Sequence, residues 1–484
     1  MIALSIVVAN EHNTEGDTAR AATEESFLAQ GVGPWKLVSA EVGRTPSERI
    51  NAAVRDAPGR HVAVIDAGDR LEPGVLSAIL QLLKDCNNPD VVYTDEQWPG
   101  EIFSKPRWIP RYLDSYPYLG RLCFVRKELF EAVGGWHEDH SPAQEWDFAL
   151  RVTEHAHNVV HVPVLGVMRN QAPRTDANTL EAGKRAVAAR YERLGICAMV
   201  ELTGSNGQVP GFVRVWRQVL EPPLVSIVVP TGGGRREVRG RKILLVANAM
   251  RSLVERTAYE RWEVVLVPSE GTDPATLAEC TEILGDRLRV VPITGPFNFS
   301  RSVNAGVGSA QGELVLLLND DTEVIEPRWL ERMVAVISED GVGAVGAKLL
   351  FEDDRIQHTG IIFDGDGNPL HMHIFEGDDA GHFGSKVVDL DFLGVTGACL
   401  LVTKALYREV GGFCEALPLN FNDVDFCLKV VASGQKVVCT PFARLRHYES
   451  STREPRIHDF ELDAIRWWRP RTLSDPYVNV RGLD

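Results

Sequence analysis

Two acidic clusters in the second half of the chain have residue types suited to metal-dependent chemistry. Asn319-Asp320-Asp321 follows the apolar run Leu314 to Leu318, which predicts a strand buried on both faces. In an open parallel sheet, ligands bind beyond the carboxyl ends of the strands. A carboxylate pair there, with no lysine nearby, suits Mg²⁺ or Mn²⁺ with phosphate oxygens completing the coordination shell. The same aspartates could instead shape a turn and cap the helix that begins near Pro327.

The second cluster lies farther along the chain. Asp423 and Asp425 stand two residues apart before a helical stretch, so one carboxylate can face a reaction cleft as a general base. The other can cap the helix or hold a partner in place, and a capping box without chemistry explains the same spacing. His447 follows a strand-like run from Lys436 to Thr440 and is a candidate metal ligand, although a lone histidine is more often structural.

Other polar segments are candidates for contacts with a substrate. Arg301 and Asn304 lie between two predicted strands, and the guanidinium of Arg301 suits a diphosphate, with a surface arginine as the alternative. A basic loop runs from Thr231 to Lys242; it contacts an anionic substrate or stays solvated, and it lacks the P-loop pattern. Four histidines fit no standard metal pattern and are expected on the acceptor side of the cleft: His358, His371, His373 and His382.

Composition narrows the class of protein. The net charge of −16 argues against broad binding to nucleic acid or to anionic lipid. The eight cysteines include no C-x-x-C pair and indicate reduced thiols in a cytoplasmic protein. Because no apolar run reaches the ~18 residues of a membrane span, we expect at most peripheral contact with a membrane. A homo-oligomer is compatible with this sequence.

The chain contains an internal repeat. Asn51 to Asp66 matches Asn304 to Asn319 in pattern and in length, since 66 − 51 = 15 and 319 − 304 = 15. Asp147 to Pro163 and Asp425 to Pro441 agree in the same way, because 163 − 147 = 16 and 441 − 425 = 16. Apolar runs alternate with helical patterns in both copies, which predicts two α/β domains around largely parallel sheets. We expect a first domain at 1–205, a linker at 206–222 and a second domain at 223–484.

The first copy lacks two of the candidate ligands. Gly68 stands opposite Asp321, and Arg169 stands opposite His447. Three acidic residues remain in the first copy: Asp66, Asp69 and Glu145. We therefore expect a degenerate first domain that positions an acceptor, a partner or the second domain. A second active site that keeps Asp66 and Asp69 as ligands is the alternative.

These segments together resemble glycosyltransferase family 2, whose members have the GT-A fold. Asn319-Asp320-Asp321 is similar to the D-x-D motif of that family, with asparagine in the first place. Thr396-Gly397-Ala398-Cys399, Asn422 to Cys427 and His447 to Ser450 resemble the T-G-A-C, N-D-V-D-F-C and H-x-E-S segments of its polysaccharide and rhamnosyl-transferring branch. The resemblance extends over essentially the whole chain, because that branch includes tandem-domain members. One departure is Pro268, where the family usually has an aspartate that contacts the base.

The resemblance implies an inverting transfer of a sugar from a UDP-, dTDP- or GDP-linked donor to a glycan or lipid-linked acceptor. It assigns metal binding to Asp321, with Asp320 and His447 in support, and the role of general base to Asp423. Two further sets of residues follow. The donor side comprises Thr231, Arg301, Asn304, Asn319 and Asp320. The acceptor side comprises Asp425, Gly397 and His373.

Three other classes of protein stay open. A catalytically silent sugar-binding or scaffold protein would have the same fold, and a transferase with a protein acceptor would have the same donor chemistry. A nucleotidyltransferase would also use carboxylates and a metal on a related sheet, but the segments around Asp423 and His447 argue against it.

Overall fold

The computed structural model describes residues 2–9, 14–173, 175–206, 211–448 and 457–477. They divide into two compact units, of which the first ends at Val215 and the second runs from Trp216 to Tyr477. The division lies inside the predicted linker 206–222, which also contains a strand at Val213–Arg217. Residues 207–210 of that linker and residues 449–450 of the H-x-E-S segment lie outside the described ranges. No helix within those ranges has the length and apolarity that crossing a membrane requires.

The first unit is built around one large sheet. Its strands are β1 (Leu4–Ala9), β2 (Trp35–Ala40), β3 (His61–Asp66), β4 (Arg70–Leu71), β5 (Val91–Trp98), β6 (Glu101–Phe103), β7 (Phe124–Arg126), β8 (Val159–Met168), β9 (Ala198–Asn206) and β10 (Val213–Arg217). Its helices are α1 (Thr14–Leu28), α2 (Pro46–Asp56), α3 (Val75–Asp85), α4 (Pro110–Ser115), α5 (Lys127–Ala132), α6 (Gln144–His155) and α7 (Ala177–Arg193). The sheet has the order β2-β1-β3-β7-β5-β8-β4, and β9 pairs with β10 separately.

The second unit has a longer set of elements. Its strands are β11 (Val225–Thr231), β12 (Arg235–Val238), β13 (Arg241–Leu244), β14 (Trp262–Pro268), β15 (Leu288–Val290), β16 (Leu314–Leu318), β17 (Thr322–Val324), β18 (Val342–Leu350), β19 (Ile356–His358), β20 (Ile361–Phe363), β21 (Pro369–His371), β22 (Leu390–Phe392), β23 (Cys399–Thr403) and β24 (Lys436–His447). Its helices are α8 (Leu245–Arg256), α9 (Pro274–Leu284), α10 (Phe299–Ser309), α11 (Trp329–Ile337), α12 (Lys404–Glu409), α13 (Asn422–Ala432), α14 (Asp459–Trp467) and α15 (Arg469–Thr472).

The two large sheets have the same strand order. The second sheet has the order β15-β14-β11-β16-β23-β18-β24-β17. Apart from the extra edge strand β15, its seven strands β14, β11, β16, β23, β18, β24 and β17 correspond in this order to β2, β1, β3, β7, β5, β8 and β4 of the first sheet. In both sheets one antiparallel strand, β7 or β23, lies between parallel neighbours, and a short antiparallel strand forms one edge. The prediction of an α/β fold with a mostly parallel sheet in each half is confirmed.

The core of the second unit explains why β16 is apolar without alternation. All five residues of β16 are buried, because helices cover both faces of the sheet. Helix α10 packs so closely on β11 that a Cβ atom added at Gly306 would lie 2.3 Å from a methyl carbon of Val228. These layers bring the amino end of α10 and the carboxyl end of β16 to the same edge of the sheet.

Candidate active site

The carboxyl ends of the parallel strands in the second sheet meet at one edge. β11 ends at Thr231, β16 at Leu318 and β24 at His447. The acidic turn follows β16 directly, and its Asn319 backbone N–H donates to the carbonyl of Ala398 at 3.0 Å. The segment that enters the antiparallel strand β23 is thereby joined to the acidic turn. The geometry matches the ligand-binding edge of an open α/β sheet.

Asp320 is held by the end of β11. The Thr231 hydroxyl donates to Asp320 Oδ2 at 2.6 Å, and the Gly233 N–H donates to Thr231 Oγ1 at 3.0 Å. Burial, and then the charge of Asp321, raise the pKa of Asp320 to about 7. A bound cation would favour the ionised form of this carboxyl group. Thr231, which the sequence assigns to the side of the sugar donor, thus forms a hydrogen bond with Asp320 in the structure.

Asp321 and His447, the two candidate metal ligands, are in direct contact at this edge. Asp321 Oδ1 lies 3.0 Å from His447 Nε2, and Asn319 Nδ2 lies 3.1 Å from the same nitrogen. His447 Nδ1 lies 2.7 Å from Gln357 Oε1, which fixes the orientation of the imidazole ring. The pairing of β17 with β24 sets Thr322 opposite His447, so the strand register holds the two candidate ligands together.

The donor set fits a hard cation that is shared with a phosphate group. Among the described residues, no group of three or more histidine, cysteine, aspartate or glutamate side chains is arranged to hold a metal ion. Asp321 and His447 supply two ligand groups, and Asp320 is the adjacent carboxyl group. Mg²⁺ usually takes one or two protein carboxylates and completes its shell with water and substrate phosphates. The residues therefore suit a cation bound together with a diphosphate.

Asp423 is held by backbone groups at the amino end of α13. The Gly397 N–H donates to Asp423 Oδ2 at 2.9 Å, and the Val424 N–H donates to Asp423 Oδ1 at 2.8 Å. A Cβ atom added at Gly397 would lie 3.3 Å from Asp423 Cβ, which is tighter than ordinary contact. Gly397 precedes Ala398, whose carbonyl accepts from Asn319. Two successive residues thus connect the acidic turn to Asp423.

Asp425 has a different environment from the predicted acceptor contact. Its Oδ1 accepts from the indole N–H of Trp468 at 3.0 Å, and its Oδ2 lies 2.6 Å from Lys429 Nζ. The side chain is buried at the contact between α13 and the segment after α14. Asp425 therefore ties the C-terminal helices to α13, and its place on the acceptor side stays a prediction.

Asn304 and Arg301, which the sequence assigns to the side of the sugar donor, both make hydrogen bonds within the second unit. Asn304 Nδ2 donates to the Phe413 carbonyl and to Glu415, each at 3.0 Å. Asn304 Oδ1 accepts from the Tyr407 hydroxyl at 2.6 Å and from the Phe413 N–H at 3.1 Å. The Arg301 guanidinium donates to two backbone carbonyls of the preceding loop, at 3.1 and 2.6 Å. Both residues shape the walls of the site.

The predicted histidine cluster separates into different environments. His358 is buried, and its Nδ1 lies 2.8 Å from His371 Nδ1. His373 stands in a left-handed backbone conformation with φ of 60°, and its Nδ1 lies 3.3 Å from Glu376. Burial lowers the pKa of His373, so the neutral ring is favoured. His382 lies in a separate short helical turn.

A cleft beside His447 is the feature that sequence reasoning missed. Its volume is about 650 Å³, and we call it the aromatic cleft. Its lining residues are Arg236, Arg239, Phe351, Glu352, Asp353, Arg355, Phe375, His447 and Tyr448. The arginines at 236 and 239 belong to the basic loop, which forms the hairpin β12–β13. The concentration of arginine in that loop was the available signal, but the phenylalanines come from distant parts of the sequence.

The first unit has an arginine at the equivalent edge. Arg121 donates to Asp66 Oδ2 from Nε and Nη2, at 3.0 and 2.8 Å, and its Nη1 lies 2.9 Å from Glu145 Oε2. The strand registers set His61 opposite Arg126 and Leu314 opposite Thr403. Since 126 − 121 = 5 and 403 − 398 = 5, Arg121 corresponds to Ala398 of the second unit.

Comparison with known proteins gives one family for this region. Residues 240–371, which include the acidic turn, match the family described as glycosyl transferase family 2. "Uncharacterized protein y4gI" of Sinorhizobium fredii (strain NBRC 101917 / NGR234) is 33% identical over 475 residues, which are 92% of this chain and 51% of that protein. "O-antigen biosynthesis protein RfbC" of Myxococcus xanthus is 31% identical over 488 residues, which are 96% of this chain and 35% of that protein. The chain spans about half, or less, of the length of these relatives.

Solved structures resemble the chain over about half its length. GalNAc-T7 with UDP, GalNAc and Mn²⁺ is 14% identical at a TM-score of 0.41, covering 54% of this chain and 53% of that one. The mannosyltransferase PcManGT from Pyrobaculum calidifontis, in complex with GDP-Man and Mn²⁺, is 16% identical at a TM-score of 0.36, covering 52% of this chain and 73% of that one.

Proposed function

We propose that the chain is a transferase of glycosyltransferase family 2, whose model matches residues 240–371, and that its second unit transfers a sugar from a nucleoside diphosphate to a hydroxyl group of a glycan or lipid-linked acceptor. The observation that best supports this proposal is the contact of Asp321 with His447 at the sheet edge where Asp423 is also anchored. One end of the site offers ligands for a cation and a diphosphate, and the other offers a carboxylate base.

The donor side is the acidic turn and the strand ends around it. Asp321 and His447 would hold Mg²⁺ or Mn²⁺, with Asp320 in support. Such a cation supplies positive charge to the diphosphate as it leaves the sugar. Thr231 holds Asp320 through its hydroxyl group, and Asn319 contacts the imidazole of His447. The donor nucleotide is UDP, dTDP or GDP, and the donor sugar is a hexose, with rhamnose as the first to test.

Asp423 acts as the general base in this proposal. Its two oxygens each accept one backbone N–H, from Gly397 and Val424, and each keeps a second lone pair for a substrate hydroxyl. The acceptor oxygen loses its proton to Asp423 and attacks the anomeric carbon opposite the departing diphosphate, so the configuration inverts. General-base assistance of this kind contributes about 10² to 10⁴ in rate.

The acceptor is a cell-surface polysaccharide or its lipid-linked precursor. The supporting observation is the 31% identity to a protein named for O-antigen biosynthesis, across nearly the whole chain. A protein acceptor would need the same donor site and the same base. Assays with a glycan acceptor and with a protein acceptor distinguish these two possibilities, because the donor reaction is the same for both.

The first unit does not transfer sugar in this proposal. Arg121 joins Asp66 to Glu145, which stand where the second unit has Asn319 and Asp423. The guanidinium therefore supplies an internal cation at the edge where the second unit would hold a metal and a donor. Gly68 and Arg169 replace the two ligands of the second unit. The first unit then serves to position an acceptor, a partner or the second unit.

The experiment is a panel of UDP-, dTDP- and GDP-linked sugars, screened with the full chain for binding and hydrolysis with and without Mn²⁺. Asp321→Ala should lose the Mn²⁺-dependent part of donor binding. Asp423→Asn should keep donor affinity and lose about 10² to 10⁴ in transfer rate. Asp66→Ala, the matched control at the first sheet, should leave donor hydrolysis nearly intact.

Each outcome decides one part of the proposal. If Asp321→Ala binds donor and Mn²⁺ like the parent, the cation site is refuted. Unchanged turnover in Asp423→Asn would remove the base from that residue. A large loss in Asp66→Ala would give the first unit a part in catalysis. Sugar binding without turnover of any donor would identify a silent sugar-binding protein.

A further inference from the structure

The aromatic cleft opens on the acceptor side of the proposed transfer site. β11 pairs with β14 on one side and with β16 on the other, so the direction in which successive strands are added reverses at β11. In open α/β sheets, ligands bind at such a topological switch point, and we expect the nucleotide there. The phenylalanine wall of the cleft lies farther across the sheet, whereas Arg236 and Arg239 belong to the hairpin that follows β11. Phe351 directly follows β18, and His447 ends the neighbouring strand β24. Its position beside His447 places the cleft next to the candidate cation site.

Two phenylalanines form a flat wall of this cleft. Phe351 and Phe375 are stacked, with ring centroids 5.1 Å apart and an interplanar angle of 3°. Phe375 is nevertheless 57% exposed, and the guanidinium carbon of Arg355 lies 5.6 Å from its ring centroid, so part of the ring faces solvent beside Arg355. An exposed ring of this size gains little stability for the fold, because it is not removed from water.

The backbone that presents Phe375 is strained. Its φ angle is 67°, in the left-handed region that costs a residue with a side chain roughly 1 to 2 kcal/mol. The Phe375 N–H donates to the Ile356 carbonyl at 2.7 Å, which holds this conformation in place. Strain of this kind concentrates at ligand-binding loops, where the surrounding structure maintains it. An exposed ring held by a strained turn indicates a contact surface for a ligand.

The charged residues of the cleft are paired with one another. Arg355 Nε lies 2.7 Å from Asp353, and Arg236 Nη2 lies 3.9 Å from Glu352. Glu352 also accepts the backbone N–H of Arg239 at 2.8 Å. Three arginines against two acidic residues leave a small excess of positive charge. Such a wall offers fixed donors and acceptors for hydroxyl groups, whereas a diphosphate would require more uncompensated cations.

We propose that the aromatic cleft binds a neutral hexose ring of the acceptor glycan, with one face of the sugar ring against Phe375 and its hydroxyl groups bonded to the Arg355–Asp353 pair. The assignment of this ring to the acceptor rests on the proposed transferase function. The recognition of the ring itself does not, because the cleft carries its own apolar face and its own polar groups. The volume of about 650 Å³ lies within the range of about 300 to 1,000 Å³ typical of small-molecule sites.

The test is saturation-transfer NMR with the full chain and a panel of methyl glycosides of glucose, galactose, mannose and rhamnose, without any nucleotide. At least one glycoside should bind the parent protein. Phe375→Ala should weaken that binding roughly tenfold, the size expected for a lost ring contact. The matched control is Phe460→Ala, since Phe460 is 49% exposed and stacked on His458 but lies outside the cleft. This control should bind like the parent.

Inorganic pyrophosphate is added in a competition arm and should not displace the glycoside. Displacement would overturn the proposal in favour of an anion site. No binding of any glycoside to the parent, or equal binding to Phe375→Ala, would also overturn it. Donor binding is measured separately by calorimetry with nucleotide sugars and Mn²⁺. A protein that binds glycosides in the cleft but no nucleotide sugar would refute the transferase function and leave the sugar site standing.

Discussion

Arg121 gives the sharpest prediction about the first unit, because it stands where the second unit would need an exogenous cation. Its guanidinium meets Asp66 and Glu145 and lies over the ring of Trp136, 5.9 Å from the centroid. Burial lowers the pKa of Arg121, but the charges of Asp66 and Glu145 outweigh burial and raise it above its ordinary value. Arg121→Ala removes this charge and leaves two carboxylates facing a vacated volume.

The expected cost follows from the exposure of the three side chains. Arg121 is 13% exposed, whereas Asp66 and Glu145 are 45% and 31% exposed. Removing one partner of a fully buried ion pair costs about 3 to 5 kcal/mol, and solvent at the carboxylates reduces this to about 2 kcal/mol. For a unit of about 200 residues, that loss lowers the melting temperature by about 4 to 8 °C.

The assay is scanning calorimetry of the full chain in EDTA and in MnCl₂. The variant should melt earlier than the parent in EDTA and should regain part of the loss in MnCl₂, since a ligand that binds only the native state stabilises it. The triple variant Arg121→Ala, Asp66→Asn, Glu145→Gln is the matched control and should show no response to Mn²⁺ in the first unit. An Arg121→Ala protein as stable as the parent in EDTA, or unresponsive to MnCl₂, would refute the idea of an internal cation.

Three further perturbations have defined outcomes. Burial, and then the charge of Asp66, raise the pKa of Asp69 to about 6. As pH rises, the unfolded chain therefore loses this proton before the folded chain does. The free energy of unfolding should fall by on the order of 2 to 3 kcal/mol between about pH 4 and about pH 7. Asp69→Asn should flatten that slope in urea titrations, and an unchanged slope would contradict the assignment. Gly397→Ala should displace Asp423 and reduce the transfer rate at least about tenfold with donor affinity retained; equal loss of donor affinity in calorimetry would place Gly397 elsewhere. Asn304→Ala should destabilise the second unit by about 1 to 3 kcal/mol, because the Phe413 carbonyl loses its Asn304 donor while the Phe413 N–H keeps the Tyr407 hydroxyl, and a change below about 0.5 kcal/mol would contradict its tethering role.

Much of the fold could be predicted because the sequence contains two copies of the same pattern. The equal spacings from Asn51 to Asp66 and from Asn304 to Asn319 correspond to a helix and strand in each unit, α2 with β3 and α10 with β16. Apolar runs of five or more residues identify strands buried on both faces. The strand inside the predicted linker was not predictable, since its pairing with β9 depends on a partner that periodicity does not reveal.

Residue types predict which segments form the candidate site, but not the contacts that their side chains make. Asp321 and His447 are 126 residues apart, as 447 − 321 = 126, and the register of β17 with β24 is what joins them. Residue type alone could not separate the carboxylate of Asp425, which pairs with Lys429 and Trp468, from that of Asp423, which keeps backbone partners only. Both aspartates lie in the first turn of α13, so their positions in the helix do not tell them apart. The packing of the C-terminal helices against Asp425 is what distinguishes the two.

A comparison of the two units gives a physical reason for the proposed difference in their use of a divalent cation. Both sheets carry acidic groups at the same edge, and such groups in partial burial require a counter-charge. In the first unit, Arg121 meets this requirement permanently and occupies the space between Asp66 and Glu145. The second unit has Ala398 at that position, so under the proposed function its carboxyl groups receive their counter-charge from a bound cation. The proposal therefore assigns a fixed guanidinium to the structural unit and an exchangeable ion to the unit that binds and releases a diphosphate.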